Sequence, residues 1–109
     1  MPSELLKRKC CRIDPGSHAL ADSASDMLLV QVPAWRREDR EIVRDFDFKN
    51  HHEAMAFANA VAFISHQEDH HPAMIVGYNR VSLRYSTHSV NGLSENDFIC
   101  AAKVSALFS

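Results

Sequence analysis

The sequence predicts an α+β fold: a four-stranded antiparallel sheet with helices packed on one face, its elements running α-β-β-α-β-β-α. Three observations lead there. Asp45-Phe46-Asp47-Phe48 alternates acidic and apolar side chains, the period of a half-buried strand. Residues 54–64 hold five alanines and one polar residue, Asn59, a length and composition that suit a helix. Two further runs, 73–78 and 81–88, read as strands joined across Asn79-Arg80. Strand pairs separated by a long helix settle naturally as one sheet with helices on one side.

Residues 1–25 are polar and irregular, with Pro15-Gly16 as a turn signal, and read as a loose N-terminal tail. A short helix follows, capped by Ser23 or Ser25 and carrying Met27, Leu28 and Val30, until Pro33 stops it. Strands begin after Ala34. Trp35 precedes a charged turn, 36–40, and the strand 41–48 puts Phe46 and Phe48 on one face with Asp45 and Asp47 on the other. Asn50 can cap the next helix, with Glu53 at its third position in a capping-box arrangement. Pro72 disfavours helical geometry at His71, so that helix ends near Asp69 or His70. It is apolar nearly all round, which suits either burial against a second subunit or a central place among its own neighbours. Gly92 interrupts the last strand, and Ser94 opens a final helix with Asp97 three residues on. Phe98, Ala101, Ala102, Ser105 and Phe108 lie along one of its stripes.

With 109 residues the chain reads as one domain. Twelve basic residues against fourteen acidic ones give no electrostatic reason to expect nucleic acid as a partner. No apolar run approaches the roughly 18 residues of a membrane span. Residues 1–12 are basic without an apolar core, so no secretion signal is expected. Three cysteines without framework spacing suggest reduced thiols and a cytoplasmic location. The adjacent pair Cys10-Cys11 does not have the usual zinc-ligand spacing.

The compositional oddity is seven histidines, three of them within residues 66–71. If Tyr78 pairs with Val81, His71 stands opposite His88 and Pro72 opposite Thr87. Opposed side chains have Cβ atoms about 4.5–5.5 Å apart, so two imidazoles distant in sequence come within reach of one small molecule. His70 sits at the irregular junction before the strand and can join them. Histidine, with an unperturbed pKa of about 6.5, suits proton transfer near neutral pH. Glu68, Asp69 and Asp97 are carboxylates able to favour imidazolium at one of the three. Two other readings compete: a solvated surface cluster, and a zinc site using His66 and His70, four apart on a helix, although no HExxH sequence is present. His18, His51 and His52 read as ordinary surface residues.

The ordered set His66, His70-His71-Pro72, Tyr78, His88 and Asp97 resembles the signature of the pterin-4a-carbinolamine dehydratases. The likeness runs over residues 46–104. It includes the segments Phe46-Asp47-Phe48-Lys49-Asn50, Glu53-Ala54-Met55-Ala56-Phe57, Tyr78-Asn79-Arg80-Val81, Thr87-His88 and Gly92-Leu93-Ser94-Glu95-Asn96-Asp97-Phe98. Trp35 matches a tryptophan often found upstream in that family. The resemblance implies the fold already read, assembly as a homodimer or homotetramer, and loss of water from 4a-hydroxytetrahydropterin to give quinonoid dihydropterin. That reaction recycles the cofactor of aromatic amino acid hydroxylases, one of which is a candidate partner. By resemblance His70 and His88 act as acid and base, His71 holds the pterin, and Asp69, Ser86 and Thr87 line the site. His66 and Asp97 support it. No metal and no organic cofactor are implied. The chain departs from many members in having His66 where glutamate is common, Ala73 and Met74 after the His-His-Pro, and His51 where phenylalanine is usual. The family also implies a rival role without catalysis, as a protein-interaction or dimerisation factor on the same fold, or a link to molybdopterin metabolism.

Overall fold

The computed structural model describes residues 4–14 and 16–108. Its main elements are α1 (Asp22–Leu29), β1 (Arg36–Glu38), β2 (Glu41–Asp47), α2 (His51–Glu68), β3 (Ala73–Val76), β4 (Arg80–Tyr85) and α3 (Glu95–Ser105). This is the predicted order. The strands form one antiparallel sheet, β1-β2-β4-β3, so β1 and β3 are its edges. Ile42, Phe46, Val81, Leu83 and Tyr85 fill the helix-covered face, as the period-two pattern of β2 requires. The other face is laced with charge: Arg80 pairs with Asp47, Arg84 with Glu41, and Arg36 with Asp45. The expected turn at 36–40 is shorter than its charge suggests. Arg36–Glu38 pairs as a strand, and Asp39, at φ 57°, makes the bend with Arg40.

The first helix is capped differently from the expectation. Its N-cap is Ala21, whose side chain offers no acceptor, and Ser25 is buried within the helix. Met27 and Val30 face outward at 75% and 77% exposure, while Leu28 and Leu29 pack toward the core. In α2 the Asn50 side chain accepts from the Glu53 N–H at 2.9 Å, as predicted; Glu53 reaches back to the Lys49 N–H, one residue before the cap. The helix closes at Asp69, whose left-handed conformation (φ 51°) turns the chain before Pro72 is reached. Ala54, Phe57, Ala58, Val61 and Ser65 face inward, leaving Met55 and Phe63 exposed.

The hairpin register is two residues from the expected one. Gly77 pairs with Arg80 and Val76 with Val81, so Tyr78-Asn79 forms the turn. Contacts outside the hairpin choose this register. The Asn79 carbonyl accepts from the Phe48 N–H, the Tyr78 carbonyl accepts from His51 Nδ1, and Asp47 grips Arg80 with both oxygens. A two-residue slip keeps every side chain on its own face, so the core pattern survives. The pairing of His71 with His88 does not: β3 begins at Ala73 and β4 ends at Tyr85.

The N-terminal stretch is docked rather than loose over its described part. Leu5 is 1% exposed in the core, and the Asn96 side chain brackets Cys11 by accepting from its N–H and donating to its carbonyl. Side chains from a distant helix supply these partners, which is why no local pattern announces them. Residues 1–3 and Pro15 lie outside the described residues; beside the latter, the Ser17 N–H donates to the Asp14 carbonyl and Gly16 takes φ 88°.

Candidate active site

The end of α2, the end of β4, the N-terminal arm and the start of α3 enclose a cavity of about 660 Å³. That volume lies within the range of small-molecule sites. Asp69, His70 and His71 line it from the first direction, and Ser86, Thr87 and His88 from the second. The three histidines that hairpin arithmetic brought together therefore do share a cavity, although by a different route. Asp69 delivers His70 and His71 by its left-handed turn. His88 opens a single 3₁₀ turn, His88–Val90, closed by Asn91 at φ 52° and bracketed by the bridge between Thr87 and Gly92. Glycine is required at the end of that loop, because a Cβ on Gly92 would stand 2.8 Å from the Cβ of Ala19.

Asp97 does not line the cavity but underpins it. Fully buried, its Oδ1 lies 2.6 Å from His70 Nε2, while Oδ2 accepts from the Thr87 hydroxyl and the Ser94 N–H, both at 2.9 Å. Thr87 donates its one hydroxyl hydrogen to Asp97, so it accepts from Ser94 Oγ, 2.7 Å away. A carboxylate offers only acceptors, hence Nε2 of His70 carries a hydrogen and Nδ1 is the nitrogen left for other work. Nδ1 has no hydrogen-bond partner among the described residues. The imidazole also stacks on Tyr85, with ring centroids 6.0 Å apart and planes 11° apart. Burial pushes the Tyr85 phenol far above its ordinary pKa, so it presents a neutral ring to His70.

His71 and His88 contrast with this arrangement: both are exposed, and neither side chain has a hydrogen-bond partner among the described residues. His66 is exposed on α2 and is not among the cavity-lining residues. Sequence reasoning missed the arm, which contributes Cys10, Cys11, Arg12 and Ile13, and it missed Asn96. The one available signal was Leu5-Leu6, an apolar pair within a polar stretch. Glu68, only 7% exposed, accepts from the Cys10 N–H at 2.8 Å and stands 3.8 Å from Lys103 Nζ, tying the arm to α2 and α3.

A family model described as pterin 4 alpha carbinolamine dehydratase matches residues 18–107. The chain belongs to the pterin-4a-carbinolamine dehydratase family. This is a family of hydro-lyases, and the predicted resemblance is thereby established. Among its relatives is one from Nitrosomonas eutropha named for the same dehydratase, 51% identical over 105 residues, covering 95% of this chain and 93% of that one. Another so named, from Dechloromonas aromatica, is 47% identical over 103 residues, covering 94% and 92%. A crystal structure from Brucella melitensis, described as a transcriptional coactivator/pterin dehydratase, superposes with a TM-score of 0.79 at 33% identity, covering 84% of this chain and all of the other.

Proposed function

We propose that this chain dehydrates 4a-hydroxytetrahydropterin to quinonoid dihydropterin, the form that a separate two-electron reduction returns to the tetrahydropterin used by aromatic amino acid hydroxylases. The observation that carries the reading is the cavity of a dehydratase-family chain in which His70 is held by buried Asp97 while His71 and His88 face the same space. In the reaction the C4a–O bond and the N5–H bond break, a C4a=N5 double bond forms, and water leaves. One group must protonate the departing hydroxide and another must accept the N5 proton. His70 and His88 take these two roles, and His71 holds the pterin. The Asp97 contact suits His70 to the task by fixing its tautomer and orientation. Asp69, Ser86 and Thr87 complete the wall. Such proton transfer uses no metal and no organic cofactor. The test is the rate of water loss from synthetic 4a-hydroxytetrahydropterin: acceleration at catalytic protein concentration is expected, and an unchanged spontaneous rate would overturn the reading.

The chain also self-associates in this proposal. β3 is an open edge carrying Ile75 and Val76 at 61% and 38% exposure, the turn that follows holds Tyr78 at 71%, and α2 leaves Phe63 62% exposed. Exposed edges and apolar faces of this kind are ordinarily covered. The second copy is the simplest cover, as the family resemblance also implies. Sedimentation showing only the monomer mass at micromolar concentration would refute it.

A further inference from the structure

We propose that Cys10 and Cys100 form a redox modification site, which a peroxide closes into a disulfide that fastens the N-terminal arm of the cavity to α3. Their Sγ atoms are 3.5 Å apart although the residues are 90 positions apart in sequence. A disulfide of about 2.05 Å needs the two sulfurs to approach by only about 1.5 Å. The two thiols have complementary access. Cys10 is half-buried and lines the cavity, whereas Cys100 is fully buried beneath it, with its Sγ 3.9 Å from the His70 carbonyl. The hydrogen bond with Cys10, and then burial, push the Cys100 thiol far above its ordinary pKa, so Cys100 does not begin the reaction. Cys11 is exposed, but its Sγ is turned toward the Lys9 carbonyl, 3.7 Å away.

The chemistry balances with a hydroperoxide as the named oxidant. The Cys10 thiolate attacks one peroxide oxygen, the O–O bond breaks, and hydroxide leaves as water, giving a sulfenic acid at Cys10. The Cys100 sulfur then attacks Cys10 Sγ: the S–S bond forms, the S–O bond breaks, and the Cys100 thiol proton departs with the hydroxide as a second water. Two electrons pass from the sulfurs to the peroxide. The arm is otherwise held by non-covalent contacts: Leu5 in the core, Lys103 Nζ donating to the Leu6 carbonyl, the Asn96 bracket on Cys11, the Glu68 acceptor for Cys10 and the exposed Arg8–Glu95 pair. A covalent link between positions 10 and 100 would add a bond that does not break when those contacts do.

Disulfide formation is read without the dehydratase assay. The reduced full-length protein is treated with hydrogen peroxide, quenched with iodoacetamide and examined by intact mass, peptide mapping and timed trypsin digestion, which reads exposed Lys9 and Arg12 in the arm. The expected result is loss of two hydrogens with Cys10 linked to Cys100, reversal by dithiothreitol, and trypsin cleavage in the arm slowed by about fivefold or more. Cys11→Ser should behave like the wild type, and Cys10→Ser should lose both effects. Cys10→Ser alters a half-exposed side chain, so it keeps the test open if Cys100→Ser does not fold. A disulfide that uses Cys11, oxidation confined to single sulfinic acids, or a Cys10–Cys100 link without protection from trypsin would each overturn the proposal.

Discussion

The cavity has one fixed wall and one free wall, and the difference is instructive. His70 stacks on Tyr85 and is bonded to a carboxylate with no solvent exposure, itself anchored by Thr87 and Ser94. Across the space, His88 stands exposed on a three-residue turn, and His71, next to His70 in the chain, is exposed as well; neither ring is held by a hydrogen bond among the described residues. A proton-transfer site needs both kinds of group: one imidazole with a set tautomer, and others that a substrate can reach and reorganise. On this view the fixed wall governs stability as well as rate, and the free wall governs rate or binding alone.

The sharpest break of that contrast is Asp97→Ala. It strips three donors of a buried acceptor, so an unfolding free-energy loss of about 3–5 kcal/mol is expected together with loss of turnover. Urea denaturation and the dehydratase assay check the two parts, and stability within error of wild type would show that the fixed wall is not fixed by Asp97. Next come the histidines. His70→Ala and His88→Ala should each lower kcat by about 10²-fold, the low end for general acid–base assistance, since a carbinolamine also loses water unaided. The double variant should fall short of the product of the two losses, because both act on one proton-transfer step. His71→Ala should mainly raise KM. Wild-type kcat in both single variants, measured on folded protein, would remove the catalytic assignment and favour an interaction role.

A smaller effect separates packing from chemistry on the fixed wall. The Tyr85 hydroxyl is buried without a hydrogen-bond partner among the described residues. Because its folded pKa is raised by burial, Tyr85 supports stability fully below pH 10 and withdraws that support as pH rises further, by about 1.4 kcal/mol per pH unit. Tyr85→Phe should leave neutral-pH stability within about 1 kcal/mol of wild type and flatten the alkaline limb. Thermal melts from pH 7 to 11 read both, and an unchanged alkaline limb would contradict the assignment. The smallest effect is expected from His66→Ala, which changes an exposed residue outside the cavity lining: kcat/KM should stay within about twofold. A tenfold loss would show that His66 supports the site after all.

Much of the fold was legible because periodicity is local. The Asp-Phe alternation placed Phe46 inside, Asn50 and Glu53 marked the start of α2, and Ser94 with Asp97 marked the start of α3. Burial was less legible. The most apolar segment, residues 54–64, buries only one stripe, whereas α3 buries eight residues, Asn96 and Asp97 among them. Which helix is enclosed depends on what packs around it, and the arm and α1 both pack on α3.

The sequence by itself determined the element order and the sheet, and it singled out the three histidines that line the cavity and the aspartate behind them, because strand period, helix caps and motif spacing are properties of neighbouring residues. Tertiary structure alone decided the hairpin register, through Asp47, Phe48 and His51. It also decided the docking of the arm, through Asn96 and Glu68, and the contact of Cys10 with Cys100. Each of these joins groups far apart in the chain, where hydrogen-bond geometry and burial select the partner and no local pattern records the choice.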